Sequence, residues 1–262
     1  MVMFHPTPLT NELHGKVCLI TGGSRTLGAA IARRMAHYGV HIAVNYHQSQ
    51  EAADRLCVEL TAAGVTAHAL QADVCQPDQA AQLVTDTVAR FGTLDIVVNN
   101  VGPYVDTPFL DLAVADFDRI VAGNVRATFL VAQIAGRWMK DRGAEQIINI
   151  AATDFTHRSH SVYGLAKSGV IYLTEALALE LAPAVRINAV APDLIADNED
   201  MAPRLAQRAI AATPVGRLVT RAEIAEMVCL IATSAFAMTT GQTLIMDGGR
   251  SLPRLASGPD AA

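Results

Sequence analysis

Short apolar runs and longer amphipathic stretches take turns along this 262-residue chain. Residues 16–20, 40–46, 65–71 and 94–98 are β-prone runs, while residues 29–38, 51–63 and 78–91 carry apolar positions at helical spacing. Further strands are expected at 146–150, 185–190 and 243–246, and two long helices at 116–140 and 160–181. Apolar strands separated by helices call for a parallel sheet covered on both faces. The expected fold class is therefore α/β, a doubly wound parallel sheet flanked by helices and joined by right-handed crossovers, with ligands bound beyond the strands' carboxyl ends. Residues 14–252 read as that single domain, with 1–13 and 253–262 as tails. The two long helices are poor in charge and would expose apolar surface in a monomer, so a homodimer or homotetramer is expected.

Composition narrows the field. Hydrophobic residues make up 51% and charged residues 17%, which excludes a disordered chain or a solvated helical rod. A net charge of -5 with no Lys/Arg cluster gives nucleic acid nothing to bind. The first ten residues lack a basic start followed by an apolar segment, and no apolar stretch reaches about 18 residues. Neither secretion nor a membrane is expected, and the cytoplasm is the expected compartment. Cys18, Cys57, Cys75 and Cys229 are scattered without Cys-x-x-Cys spacing, so neither a disulfide framework nor a metal site is indicated.

The chemistry gathers at the ends of the expected strands. After the first comes Thr21-Gly22-Gly23-Ser24-Arg25-Thr26-Leu27-Gly28, where glycines let the backbone approach a pyrophosphate met by N–H groups at a helix start. Gly22, Ser24, Arg25, Thr26, Leu27 and Gly28 are the candidate contacts. The second strand ends in neutral Asn45 where an NAD-selecting site would place a carboxylate, and Arg25, His47 and Ser49 suit a 2′-phosphate, so the expected cofactor is NADP(H). Asp73 and Val74 would contact the adenine, and Asn100, Val101 and Gly102 the cofactor's ribose. Any one of these polar residues would serve equally as a turn cap. Their shared sheet edge is what points to a ligand.

Tyr163 and Lys167 stand one helical turn apart in Tyr163-Gly164-Leu165-Ala166-Lys167. They share a helix face, and the ammonium can lower the phenol's pKa. Such a phenol can exchange a proton with a carbonyl, imine or alcohol. Alone, a Tyr and a Lys at this spacing are commonplace; beside a dinucleotide site they point to proton-coupled hydride transfer to a small-molecule substrate.

As a set, in this order, the Gly-rich turn, Asp73-Val74, Asn99 to Gly102, Asn124, Tyr163 with Lys167, Asn188 to Pro192 and Gly241 through Gly249 resemble the short-chain dehydrogenase/reductase family. The resemblance covers residues 14–250. It implies a Rossmann-type single domain, a nicotinamide cofactor touched also by Tyr163, Lys167 and Pro192, and a dimer or tetramer. It further implies that Tyr163 is the proton donor, that Lys167 tunes it, and that Asn124 holds a water leading to solvent. Thr26-Leu27-Gly28, Tyr46-His47-Gln48-Ser49, Tyr104 and Asp247 to Leu252 are similar to the pteridine reductase branch, which implies a pterin or dihydropterin stacked on Tyr104. The alternatives are a general carbonyl or 3-oxoacyl-thioester reductase, and a non-catalytic NADP-binding sensor or scaffold.

Three departures stand out. Ala151-Ala152 occupies the place of the family's catalytic serine, leaving Thr153 or Asp154 to orient the substrate. Pro192-Asp193 replaces the usual Pro-Gly, and Val101 replaces an alanine, both narrowing the pocket. Asp193 and Leu194 are placed with the substrate, and residues 194–201 and beyond would form a lid.

Overall fold

Alternate side chains of a strand point to opposite faces, and in the first strand both faces are dry: Cys18 and Ile20 join one core cluster and Leu19 the other. The computed structural model describes residues 12–142, 145–153, 160–199 and 201–252. Within them, β1 (Val17–Ile20), β2 (His41–Tyr46), β3 (Ala67–Gln71), β4 (Ile96–Asn99), β5 (Glu145–Ile150), β6 (Val185–Pro192) and β7 (Thr243–Met246) form one parallel sheet in the order β3-β2-β1-β4-β5-β6-β7. The helices are α1 (Thr26–His37), α2 (Gln50–Ala62), α3 (Pro77–Phe91), α4 (Val114–Val121), α5 (Ala127–Lys140), α6 (Val162–Leu181), α7 (Pro203–Ala212) and α8 (Arg221–Ile231). Ile31 and Met35 of α1, Leu56 of α2 and Val228 of α8 pack on one face of the sheet. Leu83 of α3, Val131 and Met139 of α5 and Leu177 of α6 pack on the other. The doubly wound parallel sheet expected from the alternation is the fold observed.

Strand order reverses between β1 and β4, and the carboxyl ends of these strands open a crevice at that switch point. Local signals set the elements around it. Pro77 starts α3 and Gly92, with φ of 80°, ends it in the left-handed conformation. Ser161 caps α6, its Oγ accepting from the Gly164 N–H at 3.1 Å. Thr220 and Glu223 form a reciprocal capping box at the start of α8.

The structure corrects two expectations and adds a helix. The single helix expected over 116–140 is two helices joined by a π-turn at Ala122–Arg126, where the Asn124 amide donates to the Ile120 carbonyl at 3.0 Å and loosens the ladder. Leu13, expected in a tail, is fully buried, and Glu12 beside it accepts from the N–H and hydroxyl of Ser234. Helix α8, which was not anticipated, packs its Ile224 and Val228 into the same core as α1.

Candidate active site

The turn after β1 is braced from beneath. The Asn45 amide oxygen accepts from the Gly22 N–H at 3.1 Å, while its nitrogen donates to the Ala72 and Leu70 carbonyls at 3.1 and 3.3 Å. Asn45 is 1% exposed and holds the turn in shape, and it also lines the cleft above the turn, where it was expected to meet the cofactor. Asn100 closes the turn from the other side, donating to the Gly22 carbonyl at 3.1 Å. A Cβ on Gly28 would lie 2.3 Å from that carbonyl and 2.8 Å from the Asn100 amide nitrogen, so only glycine lets α1 begin here. Leu27 sends its side chain into the core and supports the turn from within. Thr26 has φ of 45°, a strained conformation for a β-branched residue, held at the turn itself.

Above this turn lies a cleft of about 630 Å³. Gly22, Ser24, Arg25 and Thr26 line it from the turn, His47 and Ser49 from the end of β2, Asp73 and Val74 after β3, and Asn100, Val101 and Gly102 after β4. Its glycine floor, its run of backbone amides and its Arg25 suit a dinucleotide phosphate in size and chemistry. A larger cleft of about 900 Å³ opens between α1, α8 and the segment after β6, and Thr26 is shared between the two. Its charges are mutually engaged, Arg34 with Glu226 and Arg221 with Glu199. The smaller cleft is the one whose lining suits a dinucleotide.

At the inner end of this region four residues converge. Lys167 is 3% exposed, and its ammonium donates to the Ile150 carbonyl at 2.8 Å while lying 5.6 Å from the centroid of the Tyr163 ring. Tyr163 is half-buried on the first turn of α6, one turn before Lys167. Asn124 is fully buried in the π-turn and donates to the Pro103 carbonyl at 3.0 Å as well as to Ile120. A Cβ on Gly102 would stand 2.6 Å from the Asn124 amide oxygen and 2.8 Å from the Lys167 ammonium. The Asn124 oxygen is buried without a hydrogen-bond partner among the described residues. An acceptor and a cation thus face one small gap, the arrangement that suits a bridging water.

The ends of β5 and β6, where the substrate is expected, are tied to each other. Ala152 is buried just past β5, and its methyl cannot donate to a carbonyl. Thr153, 2% exposed, donates its hydroxyl to Asp193 at 3.1 Å. Asp193 follows β6 and is held by Arg250, with Nη2 at 2.7 Å and Nε at 2.5 Å. Asp154 lies outside the described residues. The Tyr104 ring meets the Tyr163 ring edge to face, centroids 4.9 Å apart at 74°. Leu194 is half-buried at the start of the segment after β6, which was expected to form a lid. That segment is tied to α8: Ile195 bridges Val219, Asp197 accepts from the Arg221 N–H at 3.0 Å, and the Arg221 guanidinium holds Glu199, pulling its carboxyl down to about 2. Arg250 and Arg221 were not anticipated; the pairing of Arg250 with the unusual Asp193 had no local signal in the chain.

A family model described as enoyl-(acyl carrier protein) reductase matches residues 22–251. The chain belongs to the short-chain dehydrogenase/reductase family. It is 36% identical over 242 residues to a 3-oxoacyl-[acyl-carrier-protein] reductase of Synechocystis, an alignment covering 90% of this chain and 97% of that one. A short-chain dehydrogenase/reductase from Serratia marcescens superposes with a TM-score of 0.86 at 34% identity, covering 92% of this chain and 99% of its own. A blue fluorescent protein from a metagenomic library, solved in complex with NADPH, superposes with a TM-score of 0.83 at 34% identity over 91% and 99% of the two chains. The protein is therefore an oxidoreductase of this family, whose members use NAD(P)(H). Among its described residues no helix is long and apolar enough to cross a membrane.

Proposed function

We propose that this protein is an NADP(H)-dependent carbonyl reductase in which Tyr163 gives the proton to the substrate oxygen. The observation that carries the reading is the convergence of Tyr163, Lys167, Asn124 and Gly102 at the end of a cleft whose other end presents Arg25, His47 and Ser49. Bound NADPH would supply the hydride, held by the glycine turn, by Asp73 and Val74, by Asn100 to Gly102 and by Pro192. Lys167 stabilises the phenolate left on Tyr163 and reaches the nicotinamide ribose. Asn124 keeps a water in contact with Lys167, through which Tyr163 is reprotonated. Arg25, with His47 and Ser49, meets the 2′-phosphate, since neutral Asn45 offers the ribose no carboxylate.

The relatives named as 3-oxoacyl-[acyl-carrier-protein] reductases support a 3-oxoacyl thioester or similar ketone as substrate. A specific observation favours a second reading: Tyr104 sits against Tyr163, where its ring can face a flat heterocycle such as a dihydropterin. NADPH oxidation with acetoacetyl thioesters, simple ketones and dihydrobiopterin separates the two. Turnover of the thioesters or ketones supports the first, and turnover of the pterin alone replaces it with the second. A homodimer or homotetramer fits α6, whose Tyr172 and Leu179 are 71% and 85% exposed, and light scattering of the purified chain measures it.

A further inference from the structure

A cleft that takes a dinucleotide must hold a flat, uncharged purine as well as the phosphates, and a purine offers its faces to be stacked upon. Arg25, Arg119 and Asp73 carry the fixed charges on the lining of the 630 Å³ cleft. Arg25 stands on the glycine turn, with the phosphate-binding backbone. Arg119 comes from a different wall, helix α4, and Gly123 of the π-turn lines the cleft one helical turn later.

Arg119 has the form of a stacking platform. Asp116, three residues earlier on the same helix, pins it along one edge, with Nη2 at 2.9 Å and Nε at 3.3 Å from a single carboxylate oxygen. The side chain remains 50% exposed, so a guanidinium held in this way still offers a planar face to a ligand. The wall beside it is neutral. Val74 and Cys75 line the cleft after β3, and the Cys75 thiol donates to the Ala122 carbonyl at 3.5 Å, which fastens that turn to the end of α4. Burial, and then the nearby Asp73, push this thiol up to about 11, so it is uncharged at neutral pH. Arg119, Val74 and Cys75 therefore bound one end of the cleft, where a cation is set beside an apolar and neutral surface.

We propose that Arg119 is a cofactor-binding residue whose guanidinium plane lies on the face of the adenine ring. This rests on the dinucleotide reading of the cleft and deepens it. Arg25, His47 and Ser49 meet the 2′-phosphate, which only NADPH carries, whereas Arg119 meets a group common to NADPH and NADH. The two arginines thus have separable roles.

Fluorescence titration of the full chain with NADPH, NADH and reduced nicotinamide mononucleotide, which has no adenine, tests this. Arg119→Met keeps the aliphatic length and is expected to weaken NADPH and NADH alike, by roughly 3- to 10-fold, the range for a partly exposed cation–π contact. Affinity for the mononucleotide should stay at the parent's value. Arg119→Lys should lose nearly as much as Arg119→Met, because it keeps the charge without the plane, and Asp116→Asn should cause a smaller loss for both dinucleotides. Thermal melts of each variant are expected to match the parent, since the side chain is half exposed; Arg119→Lys carries the test if Arg119→Met does not fold. Three results would overturn the inference: a loss confined to NADPH, which makes Arg119 a phosphate contact; full dinucleotide affinity in Arg119→Lys; or a mononucleotide affinity that falls with the others. A parent that binds neither dinucleotide overturns the cofactor reading itself, an outcome distinct from these three.

Discussion

At the cofactor end of the crevice, backbone and side chains close on one another: Asn45 and Asn100 hold the Gly22 peptide from both sides and Gly28 leaves room for nothing larger. At the substrate end, by contrast, the polar groups of three strand ends are joined through side chains, Thr153 to Asp193 to Arg250. The first arrangement depends on a backbone shape that few residues permit. The second depends on pairing, which other residue combinations could replace. The shape-dependent end should therefore fail through cofactor binding, and the paired end through stability or substrate handling.

Gly28→Ala should break the cofactor end most severely. The added Cβ meets a carbonyl and an amide that cannot withdraw, so we expect stability to fall by about 1–3 kcal/mol and NADPH affinity by at least roughly 10-fold, the latter from losing the close approach of the turn to phosphate, measured by thermal melts and cofactor titration. Arg250→Met should do the opposite. Removing one partner of a largely buried ion pair should cost about 2 kcal/mol in a denaturant melt, with NADPH affinity intact; the side chains of Arg250 and Asp193 are 22% and 7% exposed. Equal loss of cofactor binding in both variants would erase the contrast.

Arg25→Ala sharpens the contrast within the cofactor end. An exposed charge-assisted contact to the 2′-phosphate predicts a loss of about 10-fold in NADPH affinity with NADH affinity unchanged, read by fluorescence titration of both.

The smallest effect concerns the frame around the lid. The Arg217 guanidinium, bonded at 2.6 Å, and then the Thr220 N–H hold the Glu223 carboxyl down to about 2 from its ordinary 4.5. A depressed carboxylate stabilises the fold above its unfolded pKa and loses that contribution as pH falls toward its folded one. Glu223→Gln should therefore cost under about 1 kcal/mol at pH 7, screened by solvent, and the gap to the parent should close between about pH 4.5 and 2.

The same contrast explains what could be read along the chain. The strands were legible because parallel strands buried on both faces are nearly continuous apolar runs, and the glycine turn because its glycines and strand-end position are written locally. Tyr163, Lys167 and Asn124 could be named before any coordinates, although the π-turn around Asn124 could not, because the residue types do not say that its amide will bond the Ile120 carbonyl and loosen the ladder. Asn45 and Leu27, expected at the ligand, also serve the turn from beneath, a role that sequence position does not reveal. Helix α8 had a readable start in Thr220-x-x-Glu223. The partnership of Asp193 with Arg250, fifty-seven residues apart, had none.

The central claim is that the Tyr163 phenol, beside the Lys167 ammonium, delivers the proton of a reduction driven by a nicotinamide bound in the adjoining cleft. Single-turnover oxidation of prebound NADPH by the best substrate, compared between the parent and Tyr163→Phe, tests it most directly. The account predicts a rate lower by about 10²- to 10⁴-fold, the range for a lost general acid, with the NADPH dissociation constant unaltered. A Tyr163→Phe protein that oxidises NADPH within threefold of the parent's rate would contradict it.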